Sequence, residues 1–426
     1  MNLTFVNHAS VLIEHKNISL ITDPWLFGKA FNNSWDLISE SKITSEDFKN
    51  IKNIWFSHEH PDHFNMPTLN QIPLDYRKQI TIFFQQSKDH RVANKCKEMG
   101  FRRVIELDKD LTYELSKSFS IRCQPVGFYD SWIYLKVDGI KILNLNDCVI
   151  NTRKQLEKLE KLLDGVDVLL TQYSYASKIG NKHDTQLRKE EARSVLEGVR
   201  LQTEILKPMF VIPFASMINY SHKDNLYMND SMNSIRHTAS YINANTDSLP
   251  IILYPGESWD CKSPRFNIPS IIKYESDYSK PITPYSNSTS TPLSVLKEQC
   301  DEYRNKIKKK NSMTLIKLLY LKKELIESKI YLRDLQSLIT FDLINGIQES
   351  EFKWYEADII TDSDSLSFVF QFEYGADTLH VNGRFETAEG NISNFFNTFR
   401  IGTLNNNGRT VLDLFKIGIK KKLTMG

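Results

Sequence analysis

The first 260 residues are a succession of short apolar runs, each ended by a turn signal, and few architectures accept such a pattern. LTFV, SVLIE, ISLITD, IKNIWFSH, ITIFFQ, FSIRCQPV, WIYLKVDG, IKILNLND, VDVLLTQ, MFVIPF and PIILYP have the length and the β-branched and aromatic content of strands. The Asp-Gly within VDGIKI reads as a tight hairpin. Helical stretches at 88–99, 151–163 and 186–206 separate some of the runs. Strands with interleaved helices indicate an α/β layered domain, which we place at 1–262.

Beyond it the character changes. Residues 263–292 are rich in Pro, Ser, Thr and Asn and read as a connecting segment. Leu and Ile at three- and four-residue spacing (Leu315, Leu318, Leu319, Leu321, Leu325, Ile326, Ile330, Leu332, Leu335) predict a helical segment at 293–350. The alternating aromatics Phe368, Phe370, Phe372 and Tyr374 suggest a strand, with turn signals at Asn382-Gly383 and Asn405 to Gly408, so 351–426 is expected to be β-rich. The basic runs at 306–310 and 420–422 read as solvated faces.

Composition narrows the class. The chain has 426 residues, with 54 Lys+Arg against 52 Asp+Glu and a net charge of +2, which argues against a nucleic-acid partner held by bulk charge. Its five cysteines are scattered with no CxxC pair, so no disulfide framework or zinc knuckle is expected and a reducing, cytoplasmic setting is favoured. The start has no basic region followed by an apolar one, and no apolar run reaches the ~18 residues of a membrane span.

Residues 51–65 read IKNIWFSHEHPDHFN, an apolar strand running into His58, Glu59, His60, Pro61, Asp62 and His63. On a strand His58 and His60 would face one side, Pro61 would turn the chain, and Asp62 and His63 could meet them from the loop. Neutral imidazoles with a carboxylate suit zinc, iron or manganese. The bland reading is a surface histidine cluster. Two candidates for completing such a site stand after later strands: Asp147 in KILNLNDC, otherwise a capping residue, and His222 in FVIPFASMINYSH, otherwise a surface histidine.

HEHPDH resembles the HxHxDH signature of the metallo-β-lactamase superfamily. NHASVLIE, TDPWLFGKAF, WFSHEHPDHFNMPTL, KILNLNDC and PFASMINYSHKDNLY resemble one branch of it, the catalytic domains of CMP-N-acetylneuraminate hydroxylases, across roughly residues 5–260. The resemblance implies an αββα sandwich with a metal site at one edge between the sheets. It implies His58 and His60 as ligands of a first metal, Asp62 and His63 of a second, Asp147 as a bridging carboxylate and His222 as the last ligand. His8 would stand behind these ligands and Asp23 beneath them. Two departures are visible. The further first-metal histidine of the relatives is absent before Asp147, leaving Tyr129, Asp130, His90 or His183 as substitutes, so one or two divalent ions are expected. The relatives' Rieske iron–sulfur domain has no counterpart ahead of the catalytic region, so an oxygenase would need a separate electron donor.

Three functions follow as expectations. The first is a metallohydrolase using a metal-bound hydroxide on a small anionic substrate, sugar, nucleotide-sugar or lipid-like. Asp62 and Asp147 would handle protons, and Tyr129, Tyr220 or His222 would assist the developing oxyanion. The second is a non-haem iron oxygenase hydroxylating a CMP-sialic-acid-like nucleotide sugar. The third is a non-catalytic metal-binding interaction protein.

Overall fold

The structure, a computed structural model, describes residues 1–127, 129–286 and 289–414. The chain divides into two compact units. The first comprises Met1–Ala176, Thr185–Ser221 and Met228–Thr283, and the second Ser177–Asp184, His222–Tyr227 and the chain from Pro284 on.

The apolar runs of the first unit are strands of two seven-stranded sheets. One runs, in spatial order, Ser258–Trp259, Asn2–Asn7, Ser10–His15, Ile18–Thr22, Asn53–Phe56, Thr81–Gln85, Arg103–Leu107. The other runs Leu249–Pro250, Phe210–Phe214, Val168–Gln172, Ile140–Asn146, Asp130–Val137, Phe119–Val126, Tyr113–Ser116. Alternation along each strand splits the apolar residues between two faces. Phe5, Val11, Ile13 and Leu20 share a core with Ile121, Ile133, Leu135 and Ile212 of the opposite sheet. The alternate residues Val6, Leu12, Ile54 and Ile82 pack with Leu69, Val92 and Cys96 of the outer helices. On the second sheet Tyr134, Leu143, Leu169 and Val211 pack with Leu156, Leu159 and Val199. This is the αββα sandwich expected from the sequence.

Local signals act where they were read. Asp138 and Gly139 both take positive φ, 54° and 84°, the pair that a two-residue hairpin of this twist requires. The helix Arg153–Glu160 starts on Thr152, whose side chain accepts from the Gln155 amide in a capping box. Helices Arg91–Glu98 and Thr185–Leu206 occupy the other two helical stretches.

The second unit carries helices and a five-stranded sheet, in the order Gly346–Glu349, Ser337–Asp342, Ser328–Leu332, Ile359–Thr361, Phe385–Glu386. A helical part followed by a β-containing part therefore holds, but the elements fall at other positions than the periodicity suggested. Helices Leu293–Lys310 and Met313–Leu321 are followed by strands, and Ile330 and Leu332 lie on the strand Ser328–Leu332, whose burial alternates with period two. Of the alternating aromatics, Phe368 and Phe370 lie instead on the helix Ser363–Gln371, and Phe372 and Tyr374 follow it before the helix Gly375–Asn382. In the first of these helices the buried residues Leu366, Val369 and Phe370 follow helical spacing, while Phe372 is 53% exposed. Asn382-Gly383 ends the helix Gly375–Asn382, with Gly383 in the left-handed conformation, φ 67°, of a helix terminus. The basic run at 420–422 lies outside the described residues. Among the described residues no helix is long and apolar enough to cross a membrane.

Candidate metal centre

The histidine loop leaves the first sheet at the carboxyl end of Asn53–Phe56 and runs to the helix Met66–Gln71. The strand closes at Phe56, so strand alternation is not what brings His58 and His60 together, and Pro61 does not end it. A turn does this work. The amides of His63 and Phe64 both donate to the carbonyl of His60, at 3.0 and 2.7 Å. Asn65 closes the loop by donating to the Pro61 carbonyl (2.8 Å) and accepting from the Thr68 amide (2.9 Å) as the helix cap.

Asp23 lies beneath the loop, as the resemblance implied. It follows the adjacent parallel strand Ile18–Thr22, is fully buried, and accepts from the Ser57 amide at 2.7 Å. Its other oxygen is 3.0 Å from His63 Nδ1. Ser57 Oγ lies between His58 Nδ1 (3.0 Å) and His63 Nδ1 (3.1 Å). The carbonyl of Ser57 accepts from Ser131 Oγ at 2.6 Å and from Gln85 Nε2 at 3.2 Å. The sequence reading overlooked Ser57, Gln85 and Ser131. Only the place of Ser57 immediately before the first histidine hinted at a role.

With Nδ1 held from below, His63 presents Nε2 to Asp62 Oδ2 at 3.3 Å and to Asp147 Oδ2 at 3.5 Å. Asp147 Oδ2 is also 3.7 Å from His58 Nε2, and His58 Nε2 is 2.9 Å from His60 Nδ1. His8 Nε2 reaches Asp62 Oδ2 at 3.1 Å. Two groups able to hold a metal ion result, His8–Asp62–His63 and His58–His63–Asp147, and His63 belongs to both. Two ligands of a tetrahedral ion at metal–nitrogen distances of about 2.0–2.1 Å stand about 3.4 Å apart. The donor separations here scatter around that value, so the residues fit a bound divalent ion. The buried atoms His63 Nε2, Asp62 Oδ1 and Asp147 Oδ1 have no hydrogen-bond partner, an arrangement that is costly unless a cation satisfies them.

Backbone strain gathers at the same place. His8, Asp23 and Asn146, which precedes Asp147, adopt positive φ of 39°, 37° and 40°. Non-glycine residues hold this conformation only where the surroundings enforce it.

The electrostatics follow from burial and crowding. Burial opposes a charge on His63, but Asp62, Asp147 and Asp23 outweigh it and hold its pKa well above the ordinary value. Burial would raise the Asp62 carboxyl, yet His63 and His8 hold it well below the usual carboxylate range. Asp147 is likewise depressed, by His58 and His63 against the effect of burial. His60 is lowered to about 4 by burial and by His58.

Of the substitutes for the absent histidine, Asp130 opens the strand Asp130–Val137 and senses both His58 and Asp147. Burial, with the Asp147 charge, lifts its carboxyl to about 6 against the pull of His58. The Tyr129 ring lies 6.3 Å from that of His60. His90 is half exposed on Glu106, and His183, 81% exposed, sits beside Asp184 in the second unit. Tyr220 is fully buried against Trp35. His222 belongs to the second unit, where it is buried with Asp224 against its ring.

Residues 2–190 match the Beta-lactamase superfamily domain. The cytidine monophosphate-N-acetylneuraminic acid hydroxylase of Mus musculus is 25% identical over 277 residues, covering 61% of this chain and 47% of the relative. The chain thus spans about half the length of that curated relative. Among solved structures, Igni18, a metallo hydrolase of Ignicoccus hospitalis, is 17% identical with a TM-score of 0.42 and covers 61% of this chain and 97% of its own. CmlA, a diiron beta-hydroxylase from Streptomyces venezuelae, is 16% identical with a TM-score of 0.43, covering 61% of this chain and 53% of its own. Over residues 2–190 this chain is thus similar to the Beta-lactamase superfamily domain, and over 61% of its length it is similar to cytidine monophosphate-N-acetylneuraminic acid hydroxylase.

Proposed function

We propose that the chain is a metal-dependent enzyme that hydrolyses a small anionic substrate, a sugar, nucleotide-sugar or lipid-like molecule. One observation carries this reading: a buried imidazole nitrogen, His63 Nε2, stands between two carboxylates with no hydrogen-bond partner of its own. His58, His60, Asp62, His63 and Asp147 are the proposed ligands in the first unit, and Asp130 takes the place of the absent histidine. The resemblance adds His222. One or two divalent ions, zinc, iron or manganese, would supply Lewis acidity and a water of lowered pKa.

The chain's own residues would do the rest. His8 occupies Oδ2 of Asp62, which leaves Oδ1 to accept a proton from water. Asp147 keeps Oδ1 open in the same way. Asp23 and Ser57 hold His63 against rotation, so the carboxylates keep their spacing. The buried thiols of all five cysteines agree with a cytoplasmic setting.

A second reading is favoured by the name of the curated relative, a hydroxylase. On it the same residues hold iron, and the reaction is oxygen-dependent hydroxylation of a nucleotide sugar with electrons from a separate donor. Elemental analysis of purified wild type and His60→Ala, combined with oxygen-electrode measurements during turnover, separates the two. Zinc or manganese with oxygen-independent turnover supports hydrolysis. Iron with substrate-linked oxygen uptake replaces it with hydroxylation. Metal content that is nil, or unchanged in His60→Ala, contradicts the assigned centre.

A further inference from the structure

The basic run at 306–310, read from sequence as a solvated face, is part of a larger patch on the second unit. Residues 306–323 contain seven lysines, Lys306, Lys308 to Lys310, Lys317, Lys322 and Lys323, and no Asp, Glu or Arg, in a chain whose whole net charge is +2. All seven are exposed. Just before them Lys297 pairs with Glu349 and Arg304 with Asp301, whereas none of the seven side chains has a carboxylate or hydrogen-bond partner among the described residues. Like charges gathered in this way repel one another, a cost that a negatively charged surface removes.

The patch stands on a firm support. It covers the last turn of the helix Leu293–Lys310, the helix Met313–Leu321 and the turn after it. These helices bury Tyr303, Ile307, Ile316 and Leu319 in the core of the unit. Asn311 fixes the link between them. Its Nδ2 donates to the Ile307 carbonyl (2.9 Å) and to Asn405 Oδ1 (2.7 Å), and its Oδ1 accepts from the Val411 amide (2.8 Å). The nine residues of Met313–Leu321 span about 14 Å at the α-helical rise. With a Debye length of about 8 Å at physiological salt, neighbouring lysines along it act together.

An apolar side chain tells which anionic partner fits. Leu321, 81% exposed, is the most exposed large apolar side chain among the described residues. It follows Lys317 by four residues on the same helix face and is followed directly by Lys322 and Lys323. Ile326, 45% exposed, comes soon after. Lysines at helix ends complement the helix dipole, but that gives Leu321 no role. A nucleic acid would be met by arginine forks and stacking rings. The patch has no arginine, and its Tyr320 is partly buried, with the hydroxyl accepting from the Leu343 amide at 3.0 Å. An anionic bilayer offers acidic headgroups to the ammonium groups and an apolar layer to a leucine.

We infer that residues 306–323 form a docking surface for an anionic lipid bilayer, with the lysines on the headgroups and Leu321 inserted at the acyl boundary. The contact is peripheral and reversible, and it needs no spanning helix.

The test is sedimentation of the full chain with phosphatidylcholine vesicles, with and without about 30% phosphatidylserine. Binding is expected only with the anionic lipid, and raising salt from about 0.1 M to about 0.5 M is expected to release the protein. Lys308→Ala, Lys309→Ala and Lys310→Ala together are expected to weaken binding about 100-fold, roughly fivefold for each lysine. Leu321→Ser is expected to weaken it about fivefold at unchanged charge. Melting curves check that these surface variants fold, and the lipid and salt dependence of the wild type decides should one of them not. No binding to anionic vesicles, equal binding to neutral ones, or wild-type affinity in the triple variant would overturn the docking surface. Wild-type vesicle affinity in Leu321→Ser, or tighter binding to a DNA duplex than to the vesicles, would overturn the choice of a bilayer.

Discussion

His63 and His222 are both buried imidazoles with an open Nε2 and a carboxylate at Nδ1, yet they are built differently. His63 is backed by Asp23, which a backbone amide fixes at 2.7 Å from the neighbouring strand end. His222 has Asp224 beside it, whose carboxylate lies 3.5 Å from Arg333 Nη2 and 3.8 Å from Arg384 Nε, side chains from distant sequence. In one case the support is the sheet backbone, in the other an ion-pair network. The difference teaches that one chemical device can be assembled from local or from long-range parts, and only the local version leaves a compact motif.

The sharpest way to break the comparison is at His63 itself. Because it belongs to both metal-competent groups, His63→Ala is expected to abolish metal retention, whereas Asp62→Asn leaves the His58–His63–Asp147 group intact and retains partial occupancy. Metal counts per chain by mass spectrometry decide this, and equal counts in the two variants would remove the shared role. Next in size is Asp23→Asn, expected to lower metal affinity roughly 10–100-fold without changing the ligands. Chelator competition measures it, and an unchanged affinity would leave Asp23 a purely structural residue.

The third prediction concerns pH. In the metal-free protein the His63 pKa is raised above 6.5, so its contribution to stability is complete below that pH and is lost as pH rises through the raised value. Asp62, held below 3.8, contributes above that pH and loses its contribution as pH falls through the depressed value. Metal binding has the opposite dependence, because His63 must give up its proton. Melting curves of metal-free protein should therefore decline on the alkaline side while the gain on adding metal grows. Parallel curves would contradict the assignment. The smallest effect is expected at Thr152→Ala, which removes a helix cap on the far side of the second sheet. It should cost about 1 kcal/mol in urea unfolding and leave metal content unchanged.

What could be read in advance follows the same division. The strands, the Asp138-Gly139 hairpin and the Thr152 cap depend on neighbours in sequence, and so does the crowding of His58, His60, Asp62 and His63 into one loop. Asp147 was readable because it directly follows the apolar run that forms the strand Ile140–Asn146. Ser57, Gln85 and Ser131 were not, since each acts through a contact that only the folded sheets create. Arg333 and Arg384 were invisible for the same reason. The stretch around Phe368–Phe372 misled because its aromatics alternate while its buried residues, Leu366, Val369 and Phe370, follow the helical period. Aromatic content outweighed periodicity there, and packing decided otherwise.

The most direct measurement is anomalous diffraction from crystals of the full chain grown with zinc or manganese. The account predicts a peak within coordination distance of His63 Nε2 and Asp147 Oδ2. A fully occupied metal elsewhere, with these two atoms left bare, would contradict it.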